Sequence, residues 1–198
     1  MLYVILKIIL TLPFFLIYRP SVRGWKNLFF KGKAIIISNH HDYSDPVFIA
    51  FMCPRLIHFM ARSNLFDRPV AGWLLTKGFF AFPVVRKSAD LQSLKKAMKV
   101  LDQGQVFGIF PEGRRSLTGE IDQFDRGVAF LALKCGAPVI PVYTDPTAYR
   151  RLKIRMNIGE PIDVNRYAGG RGARAADAVA DALRDALVHL QNEMEAER

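Results

Sequence analysis

The chain has 198 residues, 51% of them hydrophobic and 23% charged, enough for one domain of ordinary size with a real core. That composition excludes an intrinsically disordered chain, and its 14 Gly and 11 Pro, scattered without period, exclude a collagen or linker sequence. Two cysteines, Cys53 and Cys135, are too few and too far apart for a disulfide framework or a four-ligand zinc site. The 28 Lys and Arg against 18 Asp and Glu give a net charge of +10, unevenly placed: residues 1–100 hold 15 basic and 4 acidic side chains, residues 101–198 hold 13 and 14. A basic half beside a neutral one points to an anionic partner, whether nucleic acid, phospholipid headgroups or a phosphorylated metabolite.

Residues 1–18, MLYVILKIILTLPFFLIY, are apolar apart from Lys7, Thr11 and a tyrosine near each end. No positive region precedes this stretch and no small-residue cleavage site follows it, which argues against a secretory signal peptide. A spanning helix needs about 20 apolar residues, so 18 with a lysine inside is marginal. Lys7 and Thr11 lie four apart and share one face, the pattern of a helix lying in the membrane interface with that polar side turned outward. Pro13 is expected to kink it or divide it in two. The basic residues that follow, Arg19, Arg23, Lys26, Lys31 and Lys33, then rest on the anionic cytoplasmic leaflet. The alternative is an N-terminal helix packed on the protein's own core. The apolar start favours lipid over nucleic acid, and predicts a protein on the cytoplasmic face of the cell membrane, peripheral or held by a single N-terminal anchor. Residues 1–24 are read as this membrane-associating segment and 25–198 as the folded domain.

From residue 34 the chain alternates short β-type runs with helix-length segments, which predicts an α/β fold with a mixed, largely parallel sheet flanked by helices. The strands are expected at Ala34–Ser38, Phe82–Val85, Gln105–Phe110, Val139–Tyr143 and Leu152–Ile158. Helices are expected from Pro46 to Met52, from an N-cap at Ser88 to Asp102 with Gly104 as its stop, and from Arg126 to Lys134 ahead of Gly136. The last segment places Ala176, Val179, Ala180, Leu183, Ala186, Leu187, Leu190 and Met194 on one helical stripe. Its other face carries Asp177, Asp181 and Asp185, which an anionic membrane would repel, so it reads as a packing helix. The apolar stretches Val47–Met60 and Leu65–Phe82 are read either as core or as the walls of a hydrophobic groove, with Phe66 and Trp73 as interfacial aromatics.

Ser38-Asn39-His40-His41-Asp42-Tyr43-Ser44-Asp45-Pro46 follows the first of these strands directly. His40 suits a general base at neutral pH, and Asp45, reached through a turn, suits the carboxylate that accepts its other ring hydrogen. Asp45 before Pro46 also reads as a helix N-cap, and both readings can hold together. A second alternative makes His40, His41, Asp42 and Asp45 ligands in a metal-dependent phosphoesterase; the only other histidines, His58 and His189, lack ligand-like neighbours. Phe110-Pro111-Glu112-Gly113-Arg114-Arg115-Ser116, after another apolar strand, reads as an anion site or as a solvated basic turn. No Walker A or dinucleotide fingerprint occurs.

In order, these pieces resemble the glycerolipid acyltransferases that act on 1-acyl-sn-glycerol 3-phosphate, lysophosphatidic acid. Asn39-His40 with Asp45 matches the family's N-H-x-x-x-x-D signature, and Ala81-Phe82-Pro83-Val84-Val85-Arg86 resembles a second block ending in arginine. Phe110 to Ser116 resembles F-P-E-G-T-R-S, Val139 to Tyr143 a V-P-V block, Phe124 to Gly127 an F-K-x-G, and Ile158 to Ile162 an I-G-E-P-I. The resemblance covers residues 25–165. It implies that His40 takes the proton from a glycerol hydroxyl while Asp45 orients it, and that this oxygen attacks an acyl-CoA or acyl carrier protein thioester with no acyl-enzyme. It also implies that Arg86, Glu112, Gly113, Arg114 and Arg115 bind or organise the glycerol phosphate headgroup, and that no metal or bound cofactor takes part. Membrane lipids, a lyso-lipid and the thioester donor are the implied partners, and nucleic acid is not. Arg114 stands where the family has Thr, Asp125 where it has Lys, and Phe80 where it has Gly. Another lysophospholipid or a lyso-aminolipid is the alternative acceptor.

Overall fold

The computed structural model describes residues 2–73, 75–76, 80–84, 91–116, 119–147, 153–167 and 172–197. Helix α1 spans Leu2–Tyr18, and strand β1 (Ser21–Arg23) and a 3-10 turn (Trp25–Leu28) lead into β2 (Ala34–Ser38). Then come α2 (Asp45–Met52), β3 (Ile57–Arg62), α3 (Pro69–Trp73), β4 (Phe82–Val84), α4 (Leu91–Asp102), β5 (Val106–Ile109), α5 (Arg126–Cys135), β6 (Val139–Thr144), β7 (Arg155–Ile158) and α6 (Ala173–Ala196). The expected strands are all present to within a few residues; Val85, Leu152 and the Ser88 cap lie outside the described residues. β1 and β3 are additional. β1 is too short to show a period, and Ile57–Arg62 holds a single β-branched residue.

The strand order is β1-β7-β6-β2-β5-β3-β4. β6, β2, β5, β3 and β4 run parallel; β7 is antiparallel to β6 and carries β1 parallel at its edge. β2 and β6 are buried at every residue, as parallel strands covered on both faces must be. Period-two alternation sorts β2 into two layers: Ile35 and Ile37 face a core with α4, α5 and α6, whereas Ala34 and Ile36 face one with α1 and α2. The predicted α6 stripe lies in the first of these, with Val179, Leu183, Leu187, Leu190 and Met194 buried and Ala186 half-buried.

Neighbouring strands β2 and β5 send their chains to opposite sides. β2 continues through α2 on one face to β3, and β5 through α5 on the other face to β6. Such a switch point opens a crevice at the carboxyl ends of the two strands. The loops that begin at Asn39 and Phe110 both start there.

α1 corrects one expectation. It runs unbroken through Pro13, and its polar side is turned inward: Lys7 donates to the Cys53 carbonyl at the end of α2, and Trp25 Nε1 donates to the Met52 carbonyl at 2.8 Å. These two donors satisfy carbonyls that the last turn of α2 leaves open, and the cation complements its dipole. Burial pushes the Lys7 ammonium below its usual pKa, partly offset by Cys53. Phe14 inserts between Phe48 and Phe51, with ring centroids 5.6 and 4.6 Å away. The apolar side therefore faces out, with Ile9, Leu12 and Leu16 at 62%, 67% and 67% exposure. Among the described residues no helix is long and apolar enough to cross a membrane. Of the five basic residues after α1, Arg23 pairs with Glu193 of α6 and with Glu197 just past its end, Lys33 donates to the Cys135 carbonyl, and Arg19, Lys26 and Lys31 are exposed. Phe66, expected at an interface, is half-buried against the α1–α2 core, whereas Trp73 is exposed.

Candidate active site

Asn39 closes the end of β2 onto β6. Its side-chain oxygen accepts from the Thr144 amide at 2.9 Å, and its amide nitrogen donates to the Thr144 carbonyl and to His41 Nε2, both at 2.8 Å. His41 Nε2 is then the acceptor and the remaining hydrogen of that neutral ring sits on Nδ1. Burial pushes the His41 pKa below its usual value, with Asp45 and Ser116 opposing it. His41 is held as a neutral structural group.

The next residue is positioned differently. His40 Nδ1 meets Asp45 Oδ2 at 2.8 Å, and the same oxygen accepts the amides of His41 at 2.7 Å and Asp42 at 2.9 Å. Asp45 has no exposed surface, and three N–H groups converge on one carboxylate oxygen. The N-cap expectation is corrected here: Ser44 occupies the cap and Asp45 is the first residue of α2, its carboxylate folded back over residues 40–42 instead of onto the helix amides. The turn that permits this is closed by the Asp45 amide on the Asp42 carbonyl at 3.3 Å, and by Asp42 Oδ1, which accepts from the Ser44 amide and hydroxyl at 2.9 and 2.7 Å. Burial acts to raise the Asp42 carboxyl, but Ser44, Arg115 and His40 outweigh it and hold it below its usual range.

His40 lies flat on Phe110, centroids 4.2 Å apart, and Phe110 in turn stacks on Phe59 at 6.1 Å. Gly108 makes the stack possible, because a Cβ there would lie 2.3 Å from the Phe59 ring. With Nδ1 given to Asp45, Nε2 has no hydrogen-bond partner among the described residues, and the ring keeps 19% of its surface exposed. A neutral imidazole in this tautomer presents a lone pair outward with its other hydrogen fixed.

The second loop is tied to the first. The Ser116 amide donates to the His40 carbonyl at 2.8 Å, and the His40 amide approaches Glu112 Oε1 at 3.4 Å. Burial raises the Glu112 carboxyl, with the amides of Asp122 and His40 opposing, and Oε2 is buried without a partner among the described residues. Gly113, at φ +63, takes the left-handed conformation, and among the described residues nothing lies within 4 Å of where a Cβ would be. Arg114 turns to Asp122, 2.8 Å away, and Arg115 turns to Tyr43. Asp125, where a lysine was expected, caps α5 by accepting the Gly127 amide at 2.6 Å. Arg86 lies outside the described residues. Sequence reading missed Asn39 as the clamp and Tyr43 as the partner of Arg115; neither pairing has a local sequence signal, since each joins segments more than 70 residues apart.

A histidine held by a buried carboxylate, on a loop hydrogen-bonded to the one that follows β5, has the geometry a general base requires, at the switch point of an α/β sheet. A profile of the Acyltransferase family matches residues 19–145, and the chain belongs to that family and is an acyltransferase. It is 30% identical to the 1-acyl-sn-glycerol-3-phosphate acyltransferase of Bacillus subtilis over 96% of this chain and 95% of that protein. It is 35% identical to the enzyme of the same name from Borreliella burgdorferi over 61% of this chain and 49% of that protein. The crystal structure of the 1-acyl-sn-glycerophosphate acyltransferase of Thermotoga maritima shares the fold, with a TM-score of 0.69 at 20% identity over 93% of this chain and 81% of that one. The phosphoesterase alternative gives way to this membership. Its four proposed ligands are also engaged with one another and with Asn39 and Ser44, and among the described residues no group of three or more His, Cys, Asp or Glu side chains is placed to hold a metal.

Proposed function

We propose that this acyltransferase moves a fatty acyl group from a thioester, acyl-CoA or acyl carrier protein, to the free 2-hydroxyl of lysophosphatidic acid, giving phosphatidic acid. The observation that carries the reading is the His40–Asp45 pair at 2.8 Å, with His40 Nε2 left without a partner among the described residues, on a loop whose backbone is tied to Glu112 and Ser116. His40 Nε2 takes the hydroxyl proton as the oxygen attacks the thioester carbonyl, and Asp45 stabilises the imidazolium. The tetrahedral intermediate collapses, the carbon–sulfur bond breaks, and the proton on Nε2 passes to the departing thiolate. An ester and a free thiol result, with no acyl-enzyme and no metal or bound cofactor required. The near full-length likeness to the Bacillus subtilis enzyme supports this acceptor over other lyso-lipids.

The reaction is placed at the cytoplasmic face of the membrane, with α1 lying in the interface. Its outward face of Ile9, Leu12, Leu16 and Ile17 supports this placement, as do the exposed Trp25 and Phe29, packed edge to face at 5.3 Å, and the exposed Arg19, Lys26 and Lys31. Acceptor and product then stay in the bilayer, where each buried methylene is worth about 0.8 kcal/mol. The test is thiol release by the purified protein in lipid or detergent, with each thioester donor and lysophosphatidic acid. Release that depends on the acceptor, disappears in His40→Ala and survives a chelator is expected. Absence of release with any lyso-lipid, from folded protein, overturns the reading.

A further inference from the structure

Arg114 and Arg115 are neighbours in sequence with different commitments. Arg114 donates through Nε and Nη2 to Asp122 Oδ2, at 3.1 and 2.8 Å. The Arg115 guanidinium carbon instead lies 4.0 Å from the centre of the Tyr43 ring, and its Nη2 donates to the Tyr43 hydroxyl at 3.2 Å. Among the described residues Arg115 makes no ion pair within 4.0 Å, and its charge acts on the Asp42 carboxylate, the residue before Tyr43. Tyr43 is itself 62% exposed, so its ring is not there to fill a core.

We propose that Tyr43 is a positioning residue for the acceptor's phosphate: it holds the Arg115 guanidinium with its remaining N–H groups open to a phosphate monoester. The inference rests on the function proposed above and adds a residue to it. A free arginine samples many rotamers, and an anion that binds it must order them; a ring against its face and a hydroxyl at its edge order it beforehand. The Tyr43 hydroxyl, having accepted from Arg115, keeps its own hydrogen to donate to the same anion. Position favours the acceptor as the source of that anion. Tyr43 lies in the loop between His40 and Asp45, and the residue after Arg115 is hydrogen-bonded to the His40 carbonyl. In lysophosphatidic acid the 2-hydroxyl and the phosphate sit on adjacent carbons, so a hydroxyl at His40 brings the phosphate to these two loops. The phosphates of a coenzyme donor lie at the far end of a long arm from its thioester.

The experiment measures lysophosphatidic acid binding, and steady-state kinetics at saturating donor, for Tyr43→Ala, Tyr43→Phe, Arg115→Ala and the Tyr43/Arg115 double alanine variant. Tyr43→Ala is expected to raise the Kd and KM for lysophosphatidic acid by about five- to tenfold, the range of one cation–π contact and one hydrogen bond, with kcat little changed. Tyr43→Phe keeps the ring contact and recovers part of the loss. In the Arg115→Ala background the Tyr43 substitution adds nothing further, and with 1-acylglycerol, which lacks the phosphate, it has no effect. A Tyr43→Ala protein with unchanged acceptor binding overturns the inference. So does an equal loss with Arg115 already removed, or a shift in donor KM instead of acceptor KM. Wild-type protein that shows this binding pattern but releases no thiol refutes acyl transfer and leaves the Tyr43–Arg115 assignment standing; turnover without Tyr43 dependence does the reverse.

Discussion

The loop from Asn39 to Asp45 and helix α1 are built on opposite terms. In the loop, the His40 ring and the His41 and Asp42 amides converge on the fully buried Asp45 carboxylate, and among the described residues His40 Nε2 is left without a partner. In α1 the lone lysine is turned inward with Phe14, while Ile9, Leu12, Leu16 and Ile17 are left outside. A folded chain alone in water gains nothing from that second arrangement, since each exposed leucine forgoes about 1.5–3 kcal/mol of burial. The difference teaches that the loop is completed by the protein itself, whereas α1 keeps an apolar face that the described residues leave uncovered, the face on which the proposed interface rests.

The sharpest way to test this contrast is at His40. His40→Ala is expected to lower kcat by roughly 10²–10⁴-fold, the usual contribution of a general base, while the melting temperature moves little because the ring is partly exposed. Asp45→Ala should behave otherwise. Leaving the two amides and His40 Nδ1 without their acceptor costs about 1–3 kcal/mol of stability, read as a lower denaturant midpoint, in addition to the lost activity. A variant as stable as the wild type would show that the loop is not held by this carboxylate.

For α1 the expected signature is reversed. Leu16→Glu should weaken binding to anionic phospholipid vesicles by roughly ten- to a hundredfold, from the loss of one buried leucine, and leave thermal stability unchanged. Co-sedimentation with vesicles measures the first and calorimetry the second. A large fall in melting temperature with intact vesicle binding would place Leu16 in the protein's own packing. The smallest effect is in pH. The His41 pKa is depressed in the folded state, so the unfolded chain binds the extra proton first. Its contribution to stability is complete above the ordinary value of 6.5 and declines as pH falls below it towards the folded value. Glu112 has the opposite sign: its folded pKa is raised, so its contribution is lost as pH climbs above the ordinary 4.5. Melting temperatures across pH 5–8 for wild type and His41→Gln should therefore diverge at the acid end. Parallel curves would mean that His41 is not held neutral by Asn39.

Much of the fold was legible because its signals are local. Ile35 and Ile37 alternate with Ala34 and Ile36, the α6 stripe keeps helical spacing, and Gly136 ends α5 where its left-handed φ of 53 is required. The candidate pair His40 and Asp45 was legible too, five residues apart and closed by a turn. β1 was not, because three residues on an edge carry no period, nor was β3, whose burial comes from the strands beside it.

The sequence by itself determined the class of sheet, the motif blocks and their order, and an N-terminal segment with an apolar surplus. Only the tertiary structure decided the direction in which that segment faces, because four-residue spacing puts Lys7 and Thr11 on one side of a helix without saying what the side meets; the open carbonyls of α2 supplied the answer. It also decided which of two adjacent arginines is open. Arg114 and Arg115 are the same chemical group one residue apart, and Asp122 and Tyr43, brought near by folding and not by the chain between them, set them to different tasks.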